Sequence, residues 1–368
     1  MSKDIKLTVW LSTYNQEPYV AQALDSILMQ KTDFPFEILA ADDCSTDRTQ
    51  KIILDYQKRF PGKIVTFFPE QNLGGCRKLT GCIDAGLFRG EYLSYLEGDD
   101  YWLGEDRLQK LVDFLDEHPE YAAIAHQRKL VNEQGEVVGV DMPESLLDKP
   151  FTIKEFLAGW DYPDFGSVFR NFYRQDGAKY HKLLHASRNV CDFQDMFIMQ
   201  DHGPVYVTSR VFGAYRCARP AGATNYNSIT TQANRCMDHI RICRAVESFY
   251  RGKYDLTPMI EREQGKLLRA ICEKQDQSEL EEAKSYLPKE AVKREMPQIL
   301  YLALRGKRRE TVRFAMEVLS LSEKASVLLR IIPLSAQRIF EKISGKGHKE
   351  PSIIRGILTI SEENEASK

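Results

Sequence analysis

Four groups of polar residues contain the side chains that could do chemistry, and each group directly follows a short apolar run. They are rich in carboxylates, hydroxyls and amides: Ser12, Thr13, Tyr14 and Asn15; Asp42, Asp43, Ser45, Thr46 and Asp47; Asn72, Leu73, Gly74 and Gly75; and Glu97, Asp99 and Asp100. Adjacent carboxylates repel each other unless a cation or a proton compensates, and oxygen ligands favour hard ions such as Mg²⁺ or Mn²⁺. The fourth group therefore predicts a metal site.

A hard cation at this position would suit a diphosphate, because bridging two phosphate oxygens cancels their charge both when the group binds and when it leaves. A simpler reading remains for each group. Asp99 and Asp100 could form a solvated loop ahead of a helix, and Asp42 and Asp43 could be turn or cap residues. The glycines of the third group could permit an unusual turn without touching phosphate.

Predicted strands position these groups. Residues 5–12, 36–42, 64–68 and 91–96 are short, apolar and bounded by polar turns, which is typical of buried strands. Three helical patterns fill the gaps between the strands. One begins near Pro18, one follows Ser45 as its N-cap, and one covers 76–88. This alternation predicts an α/β fold with a mostly parallel central sheet flanked by helices, whose ligands bind at the carboxyl ends of the strands. The four groups should therefore surround one crevice.

The second half of the chain continues the pattern and then changes. The pattern predicts a helix over 103–118 and then a hairpin of strands 121–131 and 136–140 with its turn at 132–135. A second helix is predicted over 192–200 and a strand over 205–216. From about residue 231 the sequence is charged and helical, with few strand signals. We therefore expect an α/β domain over 1–230 and a helical C-terminal region over 231–368.

Composition narrows the class of protein. The chain of 368 residues is 43% hydrophobic with a formal net charge of −2, which favours a folded protein and argues against sequence-independent binding to nucleic acid. Its eight cysteines are scattered without zinc-type spacing, so we expect reduced thiols and a cytoplasmic location. No signal-peptide core is evident, and no run reaches the roughly 18 to 20 apolar residues of a spanning helix.

In their order along the chain, the four groups resemble the motifs of family 2 glycosyltransferases, which have the GT-A fold. Ser12 to Asn15 are similar to the opening motif, Asp42 to Asp47 to the second, Asn72 to Gly74 to the following loop, and Glu97 to Asp100 to the DxD motif. The resemblance divides the domain into a nucleotide-sugar-binding half, 1–131, and an acceptor-binding half, 132–230.

The resemblance also implies roles. Tyr14 would stack on the base, Asp42 would accept from the ring N–H, and Asp43 would support that loop. Asp99, with Asp100, would ligate Mn²⁺ or Mg²⁺, and Glu97, where relatives usually have aspartate, would reach the ribose hydroxyls. The complete set expected to bind the nucleotide-sugar is Ser12, Thr13, Tyr14, Asn15, Asp42, Asp43, Asn72, Gly74, Glu97 and Asp99.

Relatives supply the catalytic base from the second half of the domain. Asp192 resembles that residue, because a helix and a strand with Tyr215 and Arg216 follow it, and Asp195 is the second candidate. A histidine that often follows the tyrosine–arginine pair in relatives is replaced by Cys217 and Ala218. Contact with the phosphates could instead come from one of three residues, Arg216, Arg219 or His202.

These features predict transfer of a sugar from a nucleotide-diphosphate-sugar, with UDP as the expected leaving group, to an acceptor hydroxyl with inversion at the anomeric carbon. The acceptor would be a saccharide or lipid-linked molecule in cell-surface polysaccharide or glycolipid synthesis. One alternative is a non-catalytic nucleotide-binding scaffold of a polysaccharide-assembly complex, suggested by the missing histidine. Another is a nucleotidyltransferase, although residues 12–17 lack the glycine-rich basic loop of that class.

The C-terminal region contains one further pattern. Residues 326–343 combine a leucine and isoleucine stripe with Arg330, Arg338 and Lys342, as in a basic amphipathic helix that lies on an anionic bilayer. One hypothesis is peripheral contact with the inner face of the plasma membrane through residues 320–345. A helix packed on its own domain is the alternative.

Overall fold

The computed structural model describes residues 4–158, 167–217, 230–274 and 277–305. The chain divides into two compact units, Met1–Leu267 and Leu268–Lys368. The first unit contains the sheet and all four predicted ligand groups. In the second unit the described residues are almost entirely helical.

One ten-stranded sheet forms the centre of the first unit. Its strands are β1 (Leu7–Thr13), β2 (Phe36–Asp42), β3 (Ile64–Phe67), β4 (Tyr92–Glu97), β5 (Tyr101–Trp102), β6 (Ala123–Val131), β7 (Val137–Val140), β8 (Lys149–Phe151), β9 (Val168–Arg170) and β10 (Val205–Arg216). The order is β3-β2-β1-β4-β9-β6-β10-β5, with β7 paired to β6 and β8 to β10. Strands β1 to β4 run parallel, whereas β9 lies antiparallel between β4 and β6.

Helices follow most of the strands. They are α1 (Val20–Leu28), α2 (Thr49–Arg59), α3 (Gly75–Asp84), α4 (Arg107–Glu117), α5 (Ile153–Leu157), α6 (Tyr173–Asp176), α7 (His181–Leu184), α8 (Asp192–His202), α9 (Gln232–Phe249), α10 (Thr257–Lys274), α11 (Gln277–Ala283) and α12 (Lys289–Arg305). Short 3₁₀ turns occupy Glu144–Leu146, Gly177–Tyr180 and Lys284–Tyr286. No helix among the described residues is long and apolar enough to span a membrane.

Apolar side chains pack on both faces of the sheet. Every residue of β1 is buried, as expected for a central parallel strand covered on both sides. Val9 and Leu11 belong to one core with α1, while Trp10 faces the other core, which includes residues of α3 and α8. Because side chains alternate along a strand, Ser12 shares the face of Trp10. The end of β1 therefore presents Ser12 towards the α3 and α8 side.

The predicted α/β fold with a helical C-terminal region is confirmed, and β2 and β10 have the predicted bounds. Some local predictions were wrong. Ser45 is not an N-cap: α2 begins at Thr49, and the Ser45 hydroxyl accepts a hydrogen bond from the Asn15 N–H instead. The helix predicted over 103–118 begins only at Arg107, because the Leu103 N–H donates to the Phe212 carbonyl in β10 and Gly104 has φ of 75°.

Several sequence predictions fall on residues that are not described. They include the amphipathic pattern over 326–343, the expected membrane contact through 320–345, and Arg219. The limit at residue 230 between the predicted domain and the helical region stays a prediction, as do the two halves assigned to the domain.

Candidate functional site

The first two polar groups are joined through Asp42, which is fully buried at the end of β2. Thr13 Oγ1 donates to Asp42 Oδ2 at 2.8 Å, and Ser45 donates from both its N–H and its hydroxyl at 2.8 and 2.5 Å. Gln50 Nε2 adds a fourth bond at 2.7 Å. A carboxylate has about four acceptor positions, so the recorded bonds use all of them. Asp42 therefore organises the ends of β1 and β2.

Asn15 connects the same two groups from the other side. Its backbone has φ of 50°, a left-handed conformation that asparagine tolerates better than most residues. The Asn15 Oδ1 atom accepts from the N–H of Thr46 at 2.8 Å, while the Asn15 N–H donates to Ser45 Oγ at 2.8 Å. Tyr14, immediately before this turn, is partly exposed.

Asp43 holds the third group. Its two carboxylate oxygens accept from the N–H groups of Leu73 and Gly74 at 2.7 and 2.8 Å, and Asn72 Nδ2 donates to the Asp43 carbonyl at 3.0 Å. Gly74 has φ of 81°, and a Cβ atom there would lie 2.7 Å from the carbonyl oxygen of Arg188. Both observations require glycine, which supports the turn interpretation of this residue.

The fourth group forms a tight turn after β4. Asp99 and Asp100 are each 6% exposed, and the Asp100 N–H donates to the Glu97 carbonyl at 3.0 Å. Arg216, the last residue of β10, donates its main-chain N–H to Asp100 Oδ1 at 2.9 Å and its Nε to the Asp99 carbonyl at 3.0 Å. The strand after the predicted base therefore ends directly on the predicted metal-binding turn.

The chemistry of this turn fits a divalent cation that is bound together with phosphate. Among the described residues, no group of three or more His, Cys, Asp or Glu side chains is arranged to hold a metal ion by itself. Mg²⁺ is usually held by one or two carboxylates plus substrate phosphates rather than by an all-protein cage. The neighbouring carboxylates of Asp99 and Asp100 would supply that smaller set of oxygen ligands.

One cleft brings the two halves of the predicted site together. It lies between the ends of β1 and β4 on one side and the start of α8 on the other. Ser12 and Glu97 line it together with both candidate bases, Asp192 and Asp195. The remaining lining residues are Trp10, Gly75, Tyr95, Asn189 and Cys191.

The two candidate bases differ in their surroundings. Asp192, the first residue of α8, is partly exposed. Asp195 is 1% exposed and accepts a hydrogen bond from the hydroxyl of Tyr173. Burial raises the pKa of Asp195 to about 7, against the hydrogen bonds from Tyr173 and Tyr95, which lower it. Of the two, Asp192 is the more accessible to a substrate.

Lys78 is a charged residue near the cleft that the sequence reasoning missed. It is 3% exposed, and its Nζ donates to Ser12 Oγ at 3.0 Å and to the Thr13 carbonyl at 3.2 Å. Burying an ammonium group costs free energy unless the charge is paired or hydrogen-bonded. The burial of Lys78 therefore marks this strand end as a candidate site for a negatively charged ligand. Lys78 lies one helical turn before Cys82, on the buried side of α3, and that spacing was the available signal.

The structure places the three residues proposed for phosphate contact in different surroundings or does not describe them. His202 stacks on Phe172 with ring centroids 4.1 Å apart and contacts the Tyr180 hydroxyl at 3.1 Å, so its ring is used in packing. Arg216 lies at the predicted metal-binding turn, where its guanidinium contacts the Asp99 carbonyl. Arg219 lies outside the described residues.

Comparisons with known proteins show what the chain is similar to in sequence and in fold. The model of glycosyl transferase family 2 matches residues 8–177. An uncharacterized protein of Mycobacterium tuberculosis (strain ATCC 25618 / H37Rv) is 41% identical over 123 residues, which are 33% of this chain and 35% of that protein. A putative teichuronic acid biosynthesis glycosyltransferase, TuaG of Bacillus subtilis (strain 168), is 30% identical over 109 residues, 30% of this chain and 41% of that protein.

TarS of Staphylococcus aureus is similar in sequence and in fold. The poly(ribitol-phosphate) beta-N-acetylglucosaminyltransferase TarS (strain Mu50 / ATCC 700699) is 32% identical over 145 residues, 39% of this chain and 23% of TarS. The crystal structure of TarS 1-349 in complex with UDP superposes with a TM-score of 0.53 at 17% identity, over 85% of this chain and 90% of that one. The matched segments thus span well under half of these curated relatives. Residues 8–177 of the chain thus match the glycosyl transferase family 2 model, and the chain shares the GT-A fold of the TarS structure.

Proposed function

We propose that the chain is a glycosyltransferase that moves one sugar from a nucleotide-diphosphate-sugar, with a UDP-sugar as the expected donor, to an acceptor hydroxyl. The observation that carries this proposal is the cleft in which Ser12 and Glu97 meet Asp192 and Asp195. It combines residues from the strand ends, where such folds bind ligands, with carboxylates that could take a proton.

Base recognition in this proposal uses Tyr14 and Asp43. Tyr14 would stack on the base from the end of β1. The four bonds recorded for Asp42 leave it poorly suited to accept from a ring N–H, although the resemblance assigns it that role. Asp43 lies beside it, and from the residues that the structure describes its carboxylate accepts two N–H groups, which leaves two acceptor positions for a ligand.

The transfer step in this proposal is a single displacement with inversion. Asp192 removes the proton from the acceptor hydroxyl, whose oxygen forms a bond to the anomeric carbon. The bond from that carbon to the diphosphate oxygen breaks on the opposite face, and the departing nucleoside diphosphate takes the electron pair. Partial exposure lets Asp192 meet an acceptor that arrives from solvent. The buried Asp195 would instead hold Tyr173 beside it.

A divalent cation would be held at Asp99 and Asp100, and when bound it would neutralise the negative charge that develops on the diphosphate. Glu97, which lines the cleft, would accept from hydroxyls of the donor. The ammonium of Lys78, held against Ser12 and the Thr13 carbonyl, adds positive charge at the same strand end.

The acceptor in this proposal is a hydroxyl of a cell-surface polysaccharide or of a lipid-linked precursor. This part rests on the relatives, because TarS is named for poly(ribitol-phosphate) and TuaG for teichuronic acid biosynthesis. Peripheral contact with the membrane through residues 320–345 would bring the enzyme to such acceptors.

Release of nucleoside diphosphate tests the proposed activity. The full chain is incubated with single UDP-sugars and Mn²⁺, with and without polyol-phosphate or lipid-linked acceptors, and the released UDP is measured. We expect one sugar to support acceptor-dependent release that EDTA abolishes. Binding of a nucleotide-sugar without any turnover would favour the scaffold alternative, and release of inorganic pyrophosphate would favour a nucleotidyltransferase.

A further inference from the structure

The side chain of Arg216 is enclosed by two turns and a helix. Besides the Asp99 carbonyl, its guanidinium donates from Nη1 to the carbonyls of Asn132 and Glu133, both at 3.1 Å. Nη2 donates to Gln22 Oε1 at 3.2 Å. The guanidinium also lies 4.5 Å from the ring centroid of Tyr19, and Arg216 as a whole is 3% exposed.

These bonds join elements that are distant in the sequence. Asn132 and Glu133 form the turn between β6 and β7, whereas Gln22 belongs to α1. The recorded bonds use four of the five guanidinium N–H groups, and their acceptors are neutral carbonyl and amide oxygens. A cation buried against neutral acceptors with this many bonds is fixed in place rather than free to follow a ligand.

The same residue also acts through its main chain. Its N–H donates to Asp100 Oδ1, so one residue contacts the backbone of Asp99 and the carboxylate of Asp100. Displacing the guanidinium would release the Asp99 carbonyl and the end of β10 together. The backbone position of Asp99 and the orientation of the Asp100 carboxylate therefore depend on how Arg216 is held.

We propose that Arg216 is a positioning residue that fixes the carboxylates of Asp99 and Asp100 for a divalent cation and ties them to the β6–β7 turn. This inference rests on the proposed function, since it assumes that the turn binds a cation with a nucleoside diphosphate. Arg216 acts on the cation through the turn and does not itself contact the phosphates. Partners that orient metal ligands typically contribute 10- to 100-fold to metal affinity.

The test is Mn²⁺ affinity, measured by electron paramagnetic resonance of free Mn²⁺ in the presence of saturating UDP. Arg216→Lys keeps the charge but cannot reach all of these acceptors. We expect it to raise the Kd for Mn²⁺ about 10- to 100-fold. The Kd for UDP in EDTA should stay within about twofold of the unmodified chain, because the inferred effect passes through the metal ligands.

Arg170→Lys is the matched control. Arg170 also donates to backbone carbonyls, those of Tyr121, Leu115 and His118, at 2.8 to 3.3 Å, but not at the metal-binding turn. Its replacement should leave both affinities unchanged. If Arg216→Lys does not fold, Gln22→Leu removes only the Nη2 acceptor, and we expect a smaller rise in the Kd for Mn²⁺, about threefold.

Two results would overturn the inference. One is a folded Arg216→Lys variant, or a folded Gln22→Leu variant, with unchanged Mn²⁺ affinity. The other is a loss of UDP affinity in EDTA as large as the loss of Mn²⁺ affinity, which would mean that Arg216 contacts the nucleotide. If the unmodified chain binds neither UDP nor Mn²⁺, the proposed function fails instead.

Discussion

Tyr173 donates its hydroxyl to the carboxylate of Asp195 inside the protein, directly beside the cleft that Asp192 also lines. Two carboxylates on consecutive turns of one helix therefore have different environments. Asp195 is buried with a pKa raised to about 7, whereas Asp192 is partly exposed. This contrast separates a carboxylate suited to meet a substrate from one suited to organise the wall of the cleft.

The raised pKa of Asp195 predicts how stability varies with pH. Since the folded state binds this proton more tightly than the unfolded state, whose pKa is near 3.8, stability should fall as pH rises from about 4 to about 7. Asp195→Asn should flatten this slope, which amounts to at most about 4 kcal/mol. Thermal unfolding between pH 5 and pH 8 measures it. Replacing the exposed Asp176 by Asn is the control, and equal slopes in all three proteins would contradict the prediction.

Replacing the proposed catalytic base should slow turnover strongly without changing the affinity for the donor. Asp192→Asn removes the proton acceptor, so we expect kcat to fall about 10²- to 10⁴-fold. Asp195→Asn should cost about tenfold or less, because Asp195 acts through its neighbours. Acceptor-dependent UDP release gives kcat, and calorimetry with the donor gives its Kd. A larger loss of kcat for Asp195→Asn would reverse the two roles.

Lys78 should contribute to binding of the diphosphate and not to binding of the nucleotide base. Lys78→Met removes a positive charge held 3.0 Å from Ser12 Oγ, so we expect UDP affinity to fall about tenfold. Uridine affinity should be unchanged. Lys63→Met is the control. Lys63 is partly buried and, like Lys78, donates to a carbonyl, that of Phe36, but it precedes β3 at the other end of the sheet. Equal losses for UDP and uridine would show a general collapse of the pocket.

Gly74 and Gly62 provide a pair that separates backbone strain from steric contact. Both have positive φ, 81° and 78°, but only at Gly74 would a Cβ atom meet neighbouring atoms, those of Arg188 and Asn189. We expect Gly62→Ala to lower the free energy of unfolding by about 1 kcal/mol and Gly74→Ala by about 3 kcal/mol or more. Denaturant unfolding measures both. Similar losses of unfolding free energy in the two variants would contradict the prediction, because they would mean that the loop after β3 moves to accommodate the added Cβ atom.

Much of the fold could be predicted from the sequence because apolar runs and polar turns alternate with the period of strands and crossover helices. β2 and β10 were predicted at their observed bounds, and the hairpin of β6 and β7 was expected. β9 was not, since a three-residue strand carries little periodic signal. Ser45 was misread because its hydroxyl bonds to Asn15 and Asp42, which are partners from tertiary structure rather than from its own helix.

The residues of the candidate site were easier to find than their surroundings. Strand ends identified Ser12 and Glu97, and the motif order identified Asp192. The burial of Lys78 and the bonds of Arg216 to the β6–β7 turn depend on contacts between distant segments, which local patterns do not encode. Asp42 shows the same limit, because its four internal bonds become visible only in three dimensions.

Calorimetric titration of UDP-sugars into the full chain, in Mn²⁺ and in EDTA, tests the central claim most directly, with Asp99→Asn as the comparison. We predict that one UDP-sugar binds tightly in Mn²⁺, at least tenfold more weakly in EDTA, and equally weakly in both conditions when Asp99 is replaced. Absence of heat from every sugar nucleotide in excess Mn²⁺, or Mn²⁺-dependent binding that Asp99→Asn leaves unchanged, would contradict the account.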